Sequence, residues 1–222
     1  MAKERRSPDD AQLSVETGHI PYPVFSVGTP AEVPPQPVYL DFKTTKSLGE
    51  AQFLTAIVPA KTEAAVRAVI SQMTEIAGEN LKGIRATRGG EIDLVMFRYG
   101  AANAPLWQGE WSADASVLTV TTAADNLKMF AVQNARSLRR GGQVLFSSDV
   151  FANVAVNYNL NEIHTAYNAE RAAKIVLFTG KSPACVLLDG KQLDASAFGF
   201  NSSEGTISLS LPAGQHEIKI AL

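Results

Sequence analysis

Residues 81–97 read LKGIRATRGGEIDLVMF, and this stretch decides the fold. Two β-type segments, 81–87 and 91–97, flank Arg88-Gly89-Gly90. Glycine reaches φ > 0 without a Cβ clash, which a tight turn between antiparallel strands requires. The stretch therefore predicts a β-hairpin. On its N-terminal side, 38–44 (VYLDFKT) alternates Val38, Leu40 and Phe42 against polar neighbours, and 51–59 (AQFLTAIVP) is continuously apolar, as in a strand buried on both faces. Between that strand and the hairpin the period changes. Ala65, Val66, Val69, Ile70, Met73, Ile76 and Ala77 recur at three and four, predicting a helix from Thr62 to Ala77, with Thr62 as N-cap and Gly78 as stop.

C-terminal to the hairpin the β pattern continues. Strands are expected at 105–112, 115–121, 127–132, 143–147, 153–158, 173–179, 184–189, 206–210 and 215–220, with turns at Leu188-Asp189-Gly190-Lys191 and Leu211-Pro212-Ala213-Gly214. Short strands at regular spacing predict an all-β, antiparallel β-sandwich with one short helix. The expected core holds Leu40, Phe42, Phe53, Leu54, Ile57, Ile84, Leu94, Met96, Leu118, Val120, Phe130, Leu145, Val154, Val156, Val176, Phe178, Val186, Leu188, Ile207, Ile218 and Ile220. Upstream, residues 1–13 are polar, and 21–37 hold Pro21, Pro23, Pro30, Pro34, Pro35 and Pro37. Proline removes a backbone donor and fixes φ, so 1–37 reads as a tail and extended N-terminal arm, with an edge strand at His19–Val27. The sandwich domain is expected over 38–222.

Composition narrows the function classes. The 222 residues carry 20 Lys+Arg and 22 Asp+Glu, a net charge of −2, with 45% hydrophobic residues. That balance argues against a chain disordered throughout and against a nucleic-acid binder driven by charge. A single cysteine, Cys185, excludes an internal disulfide, and its place between Ala184 and Val186 predicts a buried thiol. No apolar run reaches the roughly 20 residues of a membrane helix, and MAKERRSPDDAQLS does not read as a secretory signal, so no membrane partner is expected.

Catalytic motifs are sparse. There is no nucleophile elbow, phosphate loop or metalloprotease helix. His19, His164 and His216 are far apart in sequence, and a metal site needs three or four converging ligands, so neither metal nor cofactor is expected. His216 shares parity with Ile218 and Ile220 and reads as a histidine at the sandwich rim. His164, in NYNLNEIHTAY, stands among polar and aromatic groups. Trp107 and Trp111 stand four apart, so on one strand they share a face. They read first as core, and alternatively as a platform on which sugar rings stack. The glycan-surface candidates are Trp107, Trp111, Tyr99, His164 and Tyr167.

An ordered set of blocks adds to this. Phe53-Leu54-Thr55 with Pro59, Gly89 with Asp93, Val95 and Phe97, Ala113-Asp114-Ala115, Leu138 with Gly141-Gly142, and Val186 with Leu188-Asp189-Gly190 follow one another through 38–222. The set resembles the C-terminal β-sandwich region of heparinase II/III-like polysaccharide lyases and their bacterial relatives. Those proteins, usually periplasmic or secreted, cleave uronic-acid polysaccharides by β-elimination. Their acid and base sit mainly on an N-terminal toroid of helices. One predicted helix cannot make a toroid, so no catalytic residue is carried over. The resemblance implies a non-catalytic sandwich that supports an upstream toroid and walls a cleft for acidic polysaccharide. The alternative is an autonomous carbohydrate-binding module. A small enzyme with a site assembled in space, and a protein-interaction sandwich, are the remaining readings.

Overall fold

The structure is a computed structural model that describes residues 62–78, 80–99 and 105–222, together with the backbone of 13–19 and 38–44. The chain divides into two units, Met1–Phe53 and Leu54–Leu222. In the first, β1 (Leu13–His19) pairs antiparallel with β2 (Val38–Thr44), from Leu13 opposite Thr44 to His19 opposite Val38. β1 thus lies in a stretch with no clear strand pattern. The expected edge strand at 19–27 lies, beyond His19, outside the described residues, as do the 51–59 strand and the side chains of Leu40, Phe42, Phe53, Leu54 and Ile57.

The second unit is antiparallel β with a single α-helix among the described residues. The helix α1 (Glu63–Ser71) starts at Thr62, whose hydroxyl accepts the Ala65 N–H at 3.2 Å. It is shorter than its periodicity implied. Met73, Ile76 and Ala77 belong instead to β3 (Met73–Gly78), which pairs with β4 (Leu81–Arg88). A spacing of three and four over so few residues also fits a strand, and the ladder with β4 decides in the strand's favour. Gly78 therefore ends a strand, and Gln72 caps the helix, its N–H donating to Val69 O at 3.0 Å.

The Arg88-Gly89-Gly90 hairpin is present. β4 turns through Gly89 (φ +57°) and Gly90 (φ +86°) into β5 (Glu91–Arg98), with Arg88 opposite Glu91. β6 (Leu106–Gln108) and β7 (Trp111–Asp114) form a second hairpin where one strand was expected. β8 (Val117–Ala123) follows, then two long strands, β9 (Asn126–Arg140) and β10 (Gln143–Tyr158). β11 (Glu162–Ala169), β12 (Ala173–Phe178), β13 (Cys185–Leu188), β14 (Lys191–Gln192), β15 (Phe198–Asn201), β16 (Thr206–Leu211) and β17 (Gly214–Ala221) complete the unit. β11 and β15 were not anticipated. In β11 the buried face is Ile163, Thr165, Tyr167 and Ala169, and its two polar members hide the alternation.

The long strands organise the molecule. The N-terminal part of β9 pairs with β8 and its C-terminal part with β7; β10 pairs first with β12, then with β11. The sheet therefore forks. One arm runs β3-β4-β5-β8-β9-β10-β11-β17-β13-β14, and the other runs β6-β7-β9-β10-β12-β16-β15. Both arms supply side chains to one buried cluster, including Met96, Phe130, Phe146, Ile175, Ile207 and Ile218. Two β layers around a shared core make a sandwich. Four expected core positions shift, among them Leu188, which is half-buried on β13 while Val186 is enclosed. Ile84 is half-buried, because β4 turns Leu81 and Gly83 inward; Val176 and Phe178 are half-buried, because β12 buries Ala173, Ile175 and Leu177. Cys185 is also half-buried rather than enclosed.

Candidate functional site

The pairing of β9 with β10 is broken in the middle, and the break makes a site. Ser147 pairs with Ser137, but the next partners are Ala152 and Ala135, so five steps on β10 oppose two on β9. The extra residues of β10 bulge outward, which is how a sheet re-aims side chains. Here they carry Asp149, Val150 and Phe151 away from the ladder. Opposite them, Asn134 adopts φ +49°, a region asparagine tolerates. Its N–H donates to Asn153 Oδ1 at 2.8 Å, and its amide donates to Ser116 Oγ at 3.3 Å.

The bulge walls a cleft of about 530 Å³, closed at one side by the link from β11 to β12. Phe151 is 46% exposed, and the Arg136 guanidinium lies 4.5 Å from its ring centroid. Arg136 is itself held by Asp114 at 3.4 Å, a carboxylate that also faces Arg98 at 3.5 Å. Asn153 stands directly opposite Asn168, so two amides lie side by side on the outer face of β10–β11. Asp149 Oδ1 accepts the Lys174 N–H at 2.9 Å and so ties the bulge to β12. Glu170 and Arg171 complete the lining, both exposed. An aromatic surface beside convergent amides and charged groups suits a ligand with an apolar face and many hydroxyls.

The five sequence candidates are not gathered at this cleft or anywhere else. Trp107 is 67% exposed on β6, while Trp111 is 8% exposed on β7, with Arg140 lying 5.2 Å from its ring centroid. The shared-face expectation fails because Gly109 (φ +57°) and Glu110 turn the chain between the two indoles. Trp107 sits opposite Ser112, one position on from Trp111, and so points the other way. The paired-indole platform is therefore absent; Trp111 is core, as first read, whereas Trp107, also read first as core, is exposed. Tyr99 is half-buried and donates its hydroxyl to Gly78 O at 2.8 Å. His164 faces outward and pairs through Nε2 with Glu162 at 2.7 Å; this hydrogen bond is the main cause holding the Glu162 carboxyl below its ordinary pKa. Tyr167 is 1% exposed, on the inward face of β11, and burial is the main cause pushing its hydroxyl pKa up. It cannot present its ring to a glycan.

Phe151, Arg136, Asn153, Asn168 and Arg171 carried no motif. The available signal was a break: the polar run Ser147-Ser148-Asp149 interrupts two apolar segments, and Phe151 follows it with the wrong partners for a core aromatic.

The arrangement defines an all-β, antiparallel sandwich with a polar cleft, lined in part by Phe151, at the break in its central ladder. No protein-family model matches the chain, and no curated protein matches it at a significant level.

Proposed function

We propose that this chain is a non-catalytic β-sandwich module that binds polysaccharide, with the glycan seated in the cleft beside the β10 bulge. The observation that carries this reading is Phe151. It is a large aromatic side chain, 46% exposed at a bulge, with the Arg136 guanidinium over one face of its ring and amides among its neighbours in the cleft lining. Sugar rings present C–H faces that pack on aromatic surfaces, while their hydroxyls exchange hydrogen bonds with amides. The block resemblance to the sandwich of heparinase II/III-like lyases supports polysaccharide as the ligand class and an upstream helical toroid as partner.

Co-sedimentation with insoluble polysaccharides, and calorimetric titration with soluble ones, test this. Phe151→Ala is expected to weaken binding about tenfold, in line with an aromatic contact worth about 1–1.5 kcal/mol. Trp107→Ala is expected to leave it unchanged. The reverse pattern would move the site to the β6–β7 hairpin and contradict the proposal. Absorbance of unsaturated uronate product from the pure chain would contradict its non-catalytic half.

A further inference from the structure

We infer that the cleft selects neutral, hydroxyl-rich glycan rather than a polyanion; this rests on the polysaccharide-binding reading and specifies its ligand. The argument is one of charge. Two arginines, Arg136 and Arg171, and two carboxylates, Asp149 and Glu170, line the cleft. Their formal charges cancel. Asp114, at 3.4 Å from Arg136, is shared with Arg98 at 3.5 Å and offsets Arg136 in part, and the Arg136 guanidinium is further engaged over the Phe151 ring. The molecule as a whole carries −2 and adds no long-range attraction for an anion.

A uronate or sulfate chain would bring one or more negative charges per ring into this space. It would meet the Asp149 and Glu170 carboxylates as closely as the arginines, and like charges brought together at an interface count against a partner. The rest of the lining is neutral and has hydrogen-bonding capacity to spare. Asn153 spends Oδ1 on the Asn134 N–H, which leaves its two amide N–H donors. Asn134 spends an amide N–H on Ser116, which leaves Oδ1 as an acceptor. Asn168, exposed across the ladder from Asn153, makes no side-chain hydrogen bond among the described residues and offers both. Paired donors and acceptors on adjacent amides match the vicinal hydroxyls of a sugar ring, whose single oxygens both donate and accept. Binding of this kind barely depends on ionic strength, whereas capture of a polyanion by arginines is screened by salt.

The test is calorimetric titration of the full chain with a neutral β-linked hexasaccharide and with a hexasaccharide of uronic acid, each from about 0.05 to about 0.5 M salt. The inference predicts that the neutral ligand binds more tightly and that its Kd changes less than about twofold over that range. Arg171→Gln, which removes the charge and keeps amide hydrogen bonding, is expected to keep the order of the two ligands, neutral ahead of uronate, while Asn168→Ala weakens the neutral ligand about fivefold or more. Both positions are exposed, so neither variant threatens the fold. Tighter binding of the uronate ligand, falling more than about tenfold with salt and lost in Arg171→Gln, would overturn the inference while leaving the glycan-binding reading intact. Absence of binding by both ligands would overturn that reading itself.

Discussion

Asp189 fastens two strands through three atoms. Its Oδ2 meets His216 Nδ1 at 2.8 Å, its Oδ1 accepts the Glu217 N–H at 2.9 Å, and its own N–H donates to Glu217 O at 2.8 Å. The hydrogen bond from His216, and then that from the Glu217 backbone, hold the Asp189 carboxyl below its ordinary pKa. A carboxylate with a depressed folded pKa contributes stability that is complete above its ordinary range and is lost as pH falls through the depressed value. Thermal unfolding followed from about pH 6 to about pH 2 should therefore show a shallower acid-side fall in Tm for Asp189→Asn than for the natural chain. Asparagine tolerates the φ of +51° at this position, so the comparison isolates the charge. Equal acid-side slopes would contradict this role. The parity of His216 with Ile218 and Ile220 had already put its ring on the inner face, and its side chain is indeed 11% exposed. Its bond to Asp189 spans 27 residues, and no local pattern announces such a pair. The same holds for the cleft: Asn153 and Asn168 meet through ladder register alone.

The elements that were legible in the sequence are those whose signal is local. Gly89-Gly90, Gly141-Gly142 and Asp189-Gly190 all lie at positive φ in two-residue hairpin turns, and each was readable from the need for glycine at such angles. Gly142, at φ +89°, joins Arg140–Gly141 to Gln143, the start of β10. A Cβ there meets no neighbouring atom, so the cost of substitution is conformational. Gly142→Ala is expected to destabilise the chain by about 1–2 kcal/mol, read as a lower urea midpoint at unchanged slope. An unchanged midpoint would show that the turn relaxes to another type. The elements misread were those in which two periods compete or polar residues face inward. β3 continues an apolar spacing begun in α1, and only the pairing of Met73 with Ala86 separates them. β11 buries Thr165 and Tyr167. β12, Ala173–Phe178, is apolar on both faces apart from Lys174 at its start, so the pairing of Ile175 with Leu209 and Ser148, more than composition, sets its parity.

At the scale of the molecule, the fork of β9 and β10 links fold to function. One hairpin of two long strands serves both layers, and its ladder must break where the arms part, between Ser147 and Ala152. That break is also the cleft wall. The sandwich class followed from the number and spacing of strands, but the fork depends on which strand pairs with which, and so did the cleft. The measurement that tests the central claim most directly is a two-dimensional amide NMR titration of the isotope-labelled chain with the neutral β-linked hexasaccharide. The account predicts saturable shifts grouped at residues 134–136, 149–153 and 168–171, with the β6–β7 hairpin around Trp107 unmoved. Shifts grouped at that hairpin, or none at saturating ligand, would contradict it.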